Sequence, residues 1–120
     1  MPESHNVLKQ FDLSGRTALI TGGTGWLGTA FSAALAEAGA SVVIASRDRD
    51  RARAAAAKLP GDATHYGVEL DQMNGDSVVA GFAEAVEVAG QVDILINNGL
   101  DPCPKDLKDV TFDEFARHQH

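Results

Sequence analysis

Short apolar runs alternate with longer segments of helical periodicity along most of this chain. Residues 17–21 (Thr-Ala-Leu-Ile-Thr) are apolar inside and flanked by glycine on both sides. An apolar run of that length without alternation predicts a strand buried on both faces. Leu27, Ala30, Phe31, Ala34, Leu35 and Ala38 recur at three and four, the stripe of a core-facing helix over 26–38. Gly39 marks its stop. Residues 41–46 enclose Val-Val-Ile-Ala, a second buried strand. Asp48 or Asp50 opens an Ala-rich helix that runs to Leu59, where Pro60-Gly61-Asp62 ends it.

The same alternation continues. Residues 64–70 form a weaker strand in which Tyr66 and Val68 alternate with smaller or polar neighbours. Asn74 or Asp76 opens a helix with Val78, Phe82, Val86 and Ala89 on one stripe, Glu84 and Glu87 off it, and Gly90 as its close. Residues 92–97 form a fourth strand, with Asp93 as a strand-start turn residue. Residues 98–110 form a polar loop containing Pro102 and Pro104. Thr111-Phe112-Asp113-Glu114 has capping-box spacing and starts a last helix. Residues 1–12 are a polar lead-in, and 13–120 form part of one domain. Strands alternating with helices predict a doubly wound α/β fold around a parallel sheet joined by right-handed crossovers.

Composition narrows the class. The chain has 120 residues, with 10 Lys and Arg against 17 Asp and Glu, a formal charge of -7. That balance argues against a nucleic-acid face or a polybasic membrane anchor. Hydrophobic residues are 44% and charged residues 22%, too apolar for a disordered chain. The longest apolar runs, such as Val42-Val43-Ile44-Ala45, are too short to span a bilayer. Residues 1–6 carry no basic start and no apolar stretch of the secretory kind. One cysteine, Cys103, excludes an internal disulfide framework and fits a reducing, cytoplasmic setting.

The chemistry is concentrated in Thr21-Gly22-Gly23-Thr24-Gly25-Trp26-Leu27-Gly28. Gly22 allows a sharp turn out of the first strand. Gly25 lets a pyrophosphate approach the backbone, and Gly28 lets the helix pack closely. The helix start offers unpaired N–H groups and the positive end of a dipole. A glycine-rich loop alone is weak evidence, but this one leaves a buried strand and opens an amphipathic helix.

With Ile94-Leu95-Ile96-Asn97-Asn98-Gly99, this loop resembles the short-chain dehydrogenase/reductase family. The resemblance runs from about Leu13 onward. It implies a Rossmann-like sheet of about four strands in the order 3-2-1-4, incomplete relative to the family, and a nicotinamide dinucleotide as cofactor. It assigns cofactor contact to Gly22, Thr24, Gly25, Trp26, Leu27 and Gly28. Ser46 and Arg47, at the end of the second strand, replace the acid that would favour NAD. A hydroxyl and a guanidinium suit a 2′-phosphate, so NADP is expected over NAD. Arg49, Arg51 and Arg53 are expected on the exposed face of the next helix. By resemblance Asp71 meets the adenine amino group, Gln72 supplies an adjacent backbone N–H, and Asn97 lines the cofactor or pins the fourth strand. Asn98 is expected in a structural role.

The chain departs from the pattern in two places. Trp26 stands where the shorter branch of the family usually has glycine, and is expected to pack near the loop. Gly99-Leu100 stands where Ala-Gly is usual.

The resemblance implies hydride transfer between NADP(H) and a carbonyl or alcohol carbon, carried by a tyrosine, a lysine four residues later and a serine. Tyr66 is the only tyrosine and Leu occupies position 70, so these catalytic residues are expected beyond His120. The chain therefore reads as the cofactor-binding half of such an enzyme, its small-molecule substrate set by the other half and the full-length protein a homo-oligomer. The fourth strand is expected at an uncovered sheet edge, leaving the piece marginal or self-associating by itself. Two alternatives stand beside this reading: a non-catalytic dinucleotide-binding module, and an extended-branch sugar-nucleotide epimerase or dehydratase favoured by the Gly22-x-x-Gly25-x-x-Gly28 spacing. A metal site from Cys103, His118 and His120 fits no common zinc pattern.

Overall fold

The computed structural model describes residues 6–99 and 107–118. A short 3-10 helix (Val7–Phe11) precedes β1 (Thr17–Thr21), α1 (Trp26–Glu37), β2 (Ser41–Ser46), α2 (Arg49–Ala57), β3 (Tyr66–Glu69), α3 (Gly75–Ala89) and β4 (Ile94–Ile96). A 3-10 turn (Leu107–Asp109) and α4 (Phe112–His118) follow. All strand pairs are parallel and the order is β3-β2-β1-β4, the expected topology.

Because the sheet is covered on both sides, successive strand residues feed two cores. Leu19, Val43, Ala45 and Val68 pack toward α3 and its Ala85. Ile20, Val42 and Ile44 pack toward Ala36 of α1 and Ala52 and Ala56 of α2. Cys103 and His120 lie outside the described residues, as does the side chain of His118. Among the described residues no group of His, Cys, Asp and Glu side chains could hold a metal ion, and no helix is long and apolar enough to cross a membrane.

Periodicity located α1 and α3 but picked the wrong inward face. Helix α1 buries Gly28, Ser32 and Ala36. Leu27 and Phe31, from the expected stripe, are 59% and 42% exposed. Helix α3 buries Gly81 and Ala85, and Phe82 is 47% exposed, with Val78 and Val86 also more exposed than buried core. The cause is distance. A Cβ on Gly81 would lie 2.8 Å from the Glu69 carbonyl oxygen, so the row facing the sheet must be small. The bulky residues one position away are turned outward.

Element ends also differ from expectation, and side chains explain why. Helix α2 stops at Ala57 because Lys58 N–H turns back to the Ala55 carbonyl just before Leu59-Pro60. Strand β3 begins at Tyr66 because His65 substitutes its ring for backbone pairing: Val42 N–H donates to its Nδ1 at 3.0 Å. Strand β4 begins at Ile94 because the Asp93 carboxylate accepts the Thr17 N–H at 2.8 Å while Asp93 N–H donates to the Thr17 carbonyl at 2.9 Å. Asp93 thus ties β4 to β1 rather than merely turning the chain. Arg49 does not lie free on the α2 surface. It makes a bidentate ion pair with Glu84 of α3, which raises the guanidinium pKa above its ordinary value and joins the helices flanking β3. Asp12 closes the turn before β1, its carboxyl held below the usual range by the Ser14 hydroxyl and amide. At the far edge, Leu95 of β4 is 56% exposed.

Candidate functional site

Helices α1, α2 and α3 each follow a parallel strand, so their N-termini gather at the carboxyl edge of the sheet. There β1 leaves through Gly22 at φ +63°, a left-handed conformation that glycine adopts without strain. Gly25 N–H donates to the Gly22 carbonyl at 3.2 Å and closes the turn. A Cβ on Gly28 would fall 2.1 Å from that same carbonyl oxygen, so the first turn of α1 rests directly on the bend. Thr29 fixes the other side, its N–H and hydroxyl donating to the Gly25 carbonyl at 2.8 and 2.7 Å.

Gly25 is the N-cap of α1 and supplies no side-chain hydrogen bond. The opening amides of α1 are therefore left for whatever enters beside them. The end of β4 is bound to the same bend. The Thr21 hydroxyl oxygen accepts the Asn98 and Gly99 N–H groups, each at 3.0 Å, and Asn98 Nδ2 donates to the Gly22 carbonyl at 3.2 Å.

A cavity of about 660 Å³ lies over this edge. It gathers Gly22, Thr24, Gly25, Trp26 and Leu27 from the loop, Ser46 and Arg47 from the end of β2, and Asp71 and Gln72 from beyond β3. Of the expected site residues, Gly28 and Asn97 stand outside the lining. Gly28 is buried under the bend, and Asn98 rather than Asn97 faces the cavity. Arg51, expected on an exposed surface, lines it as well, together with Met73 and Gly99. Met73 and Gly99 could have been found from adjacency to Asp71 and Asn98, but nothing in their residue types announced them. Trp26 does not pack near the loop. It is 92% exposed at the mouth.

Charge in the cavity is divided between two arginines and two aspartates, and the aspartates are engaged. Asp48 accepts the N–H groups of Asp50 and Arg51 at 3.0 and 3.2 Å and caps α2. β2 ends before it, at Ser46. Asp71 accepts the Met73 N–H at 3.0 Å in a local turn and lines the cavity. Arg47 is exposed at the rim. An amide-lined bend, an uncapped helix start and two guanidinium groups fit a phosphorylated dinucleotide.

A family model described as short chain dehydrogenase matches residues 16–119. The chain belongs to the short-chain dehydrogenase/reductase family. It is 38% identical over 95 residues to the uncharacterized oxidoreductase YgcW of Escherichia coli, covering 73% of this chain and 34% of that protein. It is 32% identical over 106 residues to the uncharacterized oxidoreductase YvrD of Bacillus subtilis, covering 88% of this chain and 40% of that one. Among solved structures, a short-chain type dehydrogenase/reductase from Mycobacterium marinum superposes with a TM-score of 0.77 at 33% identity, over 94% of this chain and 46% of that one. A 3-ketoacyl-(acyl-carrier-protein) reductase from Brucella melitensis, complexed with NADH, gives 0.71 at 34% identity, over 88% and 43%. The chain thus spans less than half the length of these short-chain dehydrogenase/reductase relatives. The family is one of oxidoreductases that bind a nicotinamide dinucleotide. Its Tyr66 lies on β3, packed against the core beneath α3 and away from the cavity lining.

Proposed function

We propose that this chain is the coenzyme-binding part of an NADP(H)-dependent oxidoreductase acting on a carbonyl or alcohol carbon. The observation that carries the reading is the start of α1, which has no side-chain cap and opens onto a cavity shared with Ser46 and Arg47. The bound coenzyme would supply or accept the hydride. The chain's own residues bind and orient it. The first amides of α1 hold the diphosphate, Ser46 and Arg47 take the 2′-phosphate with Arg51 adding positive potential, and Asp71 faces the adenine amino group.

The choice of NADP is supported by the end of β2. Ser46 and Arg47 stand there, and the nearest acid, Asp48, is committed to capping α2. The extended-branch alternative is not favoured, because the matching family model is the short-chain one. A cytoplasmic location is supported by the single cysteine.

Fluorescence titration with NADPH and NADH tests the proposal. Tighter binding of NADPH is expected, and Arg47→Ala should cut that preference about 10-fold, the worth of one charge-assisted contact. Equal affinities in the unmodified chain would overturn the NADP assignment. Binding of neither coenzyme would overturn the function.

A further inference from the structure

A second cavity, of about 370 Å³, lies between α1 and α2 and falls within the size range of small-molecule sites. It is a different space from the one at the carboxyl edge of the sheet. Thr24 and Arg51 line both, and every other lining residue belongs to one cavity only. Its sides are small and apolar, with Ala33 on α1, Ala54 and Ala55 on α2 and Leu59 beyond the helix.

This cavity holds a hydroxyl that nothing answers. Ser32 lines it and belongs to the inward row of α1, fully buried. Buried polar groups are nearly always hydrogen-bonded, and a mid-helix serine can return its hydroxyl to the carbonyl one turn back. The Ser32 hydroxyl makes neither that bond nor any other among the described residues. The charge of the lining is equally distinctive. The chain carries a formal charge of -7, yet Arg51 and Lys58 line this cavity and no aspartate or glutamate does. Neither cation makes an ion pair with a described residue. They stand two helical turns apart, on either side of Ala54 and Ala55.

A buried donor, apolar sides and two cations without partners are complementary to one kind of ligand. We propose that this cavity is a second ligand site, which takes a small organic carboxylate with an apolar body. The carboxylate accepts from the Ser32 hydroxyl and is neutralised by Arg51 and Lys58, while the apolar part lies against Ala33, Ala54 and Leu59. This site is independent of the coenzyme reading.

Octanoate added to the nitrogen-labelled full chain, followed by backbone amide shifts, is the test. The Ser32, Ala33, Ala54 and Ala55 amides should move saturably, with half-saturation on the order of 1 mM for a ligand of this size. Octan-1-ol should bind about 10-fold more weakly, and Lys58→Glu should weaken octanoate about 10-fold. Ser32→Ala should weaken it about 3- to 10-fold and leave the melting temperature equal or higher, because it removes a buried hydroxyl that has no partner. A serine satisfied by an internal water would behave in the opposite way: Ser32→Ala would lower the melting temperature and leave octanoate affinity unchanged. That result overturns the proposal, and so does octan-1-ol binding as tightly as octanoate. Lys58→Glu, at an exposed position, carries the test even if Ser32→Ala fails to fold, and unchanged affinity there overturns it too. If the Trp26 and Asp71 amides move instead and NADPH abolishes the shifts, octanoate sits at the carboxyl edge and the second site falls. If no amide moves saturably at roughly ten times the expected half-saturation, the site falls as well.

Discussion

Helices α1 and α3 begin at the same edge of the sheet, and their first turns are finished in opposite ways. Asn74 caps α3, its side chain accepting the Ser77 N–H at 3.1 Å. Asp48 does the same for α2 with two amides. Gly25 caps α1 with nothing. All three starts carry the same unsatisfied donors and the same positive dipole end. Two satisfy some of them with a side chain and gain stability; the third leaves them open beside the cavity. The difference teaches how a repeated strand–helix unit is specialised: among α1, α2 and α3, the helix without a side-chain cap is the one proposed to receive the coenzyme's diphosphate.

The contrast can be broken in three ways. The largest effect is expected from Gly28→Ala, whose Cβ would meet the Gly22 backbone at 2.1 Å. Neither side of that contact is a flexible side chain, so the variant should lose about 3 kcal/mol of stability in denaturant titration, together with its coenzyme binding. Gly25→Asp should convert α1 into a helix like α2. A capping carboxylate and its dipole interaction are worth about 0.5 kcal/mol in stability. The same carboxylate would repel the diphosphate, and coenzyme affinity should fall about 100-fold by fluorescence titration. A stabilised Gly25→Asp that still binds would show that the open cap has no ligand role. The smallest effect is expected from Asn74→Ala, which should cost about 1 kcal/mol in stability and leave coenzyme affinity unchanged, since Asn74 does not line the cavity.

Legibility from the sequence followed the range of the interactions. Strands β1 and β2 and the glycine bend were readable because residue type alone dictates them: apolar runs for doubly covered strands, and Gly22 for a left-handed φ. The capping box of α4 was equally local, and Thr111 and Glu114 exchange their two bonds as expected. The inward faces of α1 and α3 were not readable. Periodicity marks a row of large apolar residues, whereas the sheet selects the row with the smallest ones, and only the packing distance distinguishes them. The ends of β3 and β4 were missed for a related reason. His65 and Asp93 finish the pairing with side chains, which no strand propensity encodes. In the site, Ser46, Arg47 and Asp71 were placed by strand ends, but the approach of Gln72 to Gly99 depends on strand order and on two loops meeting. The exposure of Trp26 was invisible because an indole in a glycine loop reads as packing.

The uncapped start of α1 is proposed to receive the coenzyme's diphosphate. Following backbone amide chemical shifts while NADPH is added to the nitrogen-labelled chain tests it most directly. The Trp26, Leu27 and Gly28 amides should move most, while the Asp76 and Ser77 amides under the Asn74 cap stay in place. NADPH that binds with the α1 amides unmoved would contradict the claim.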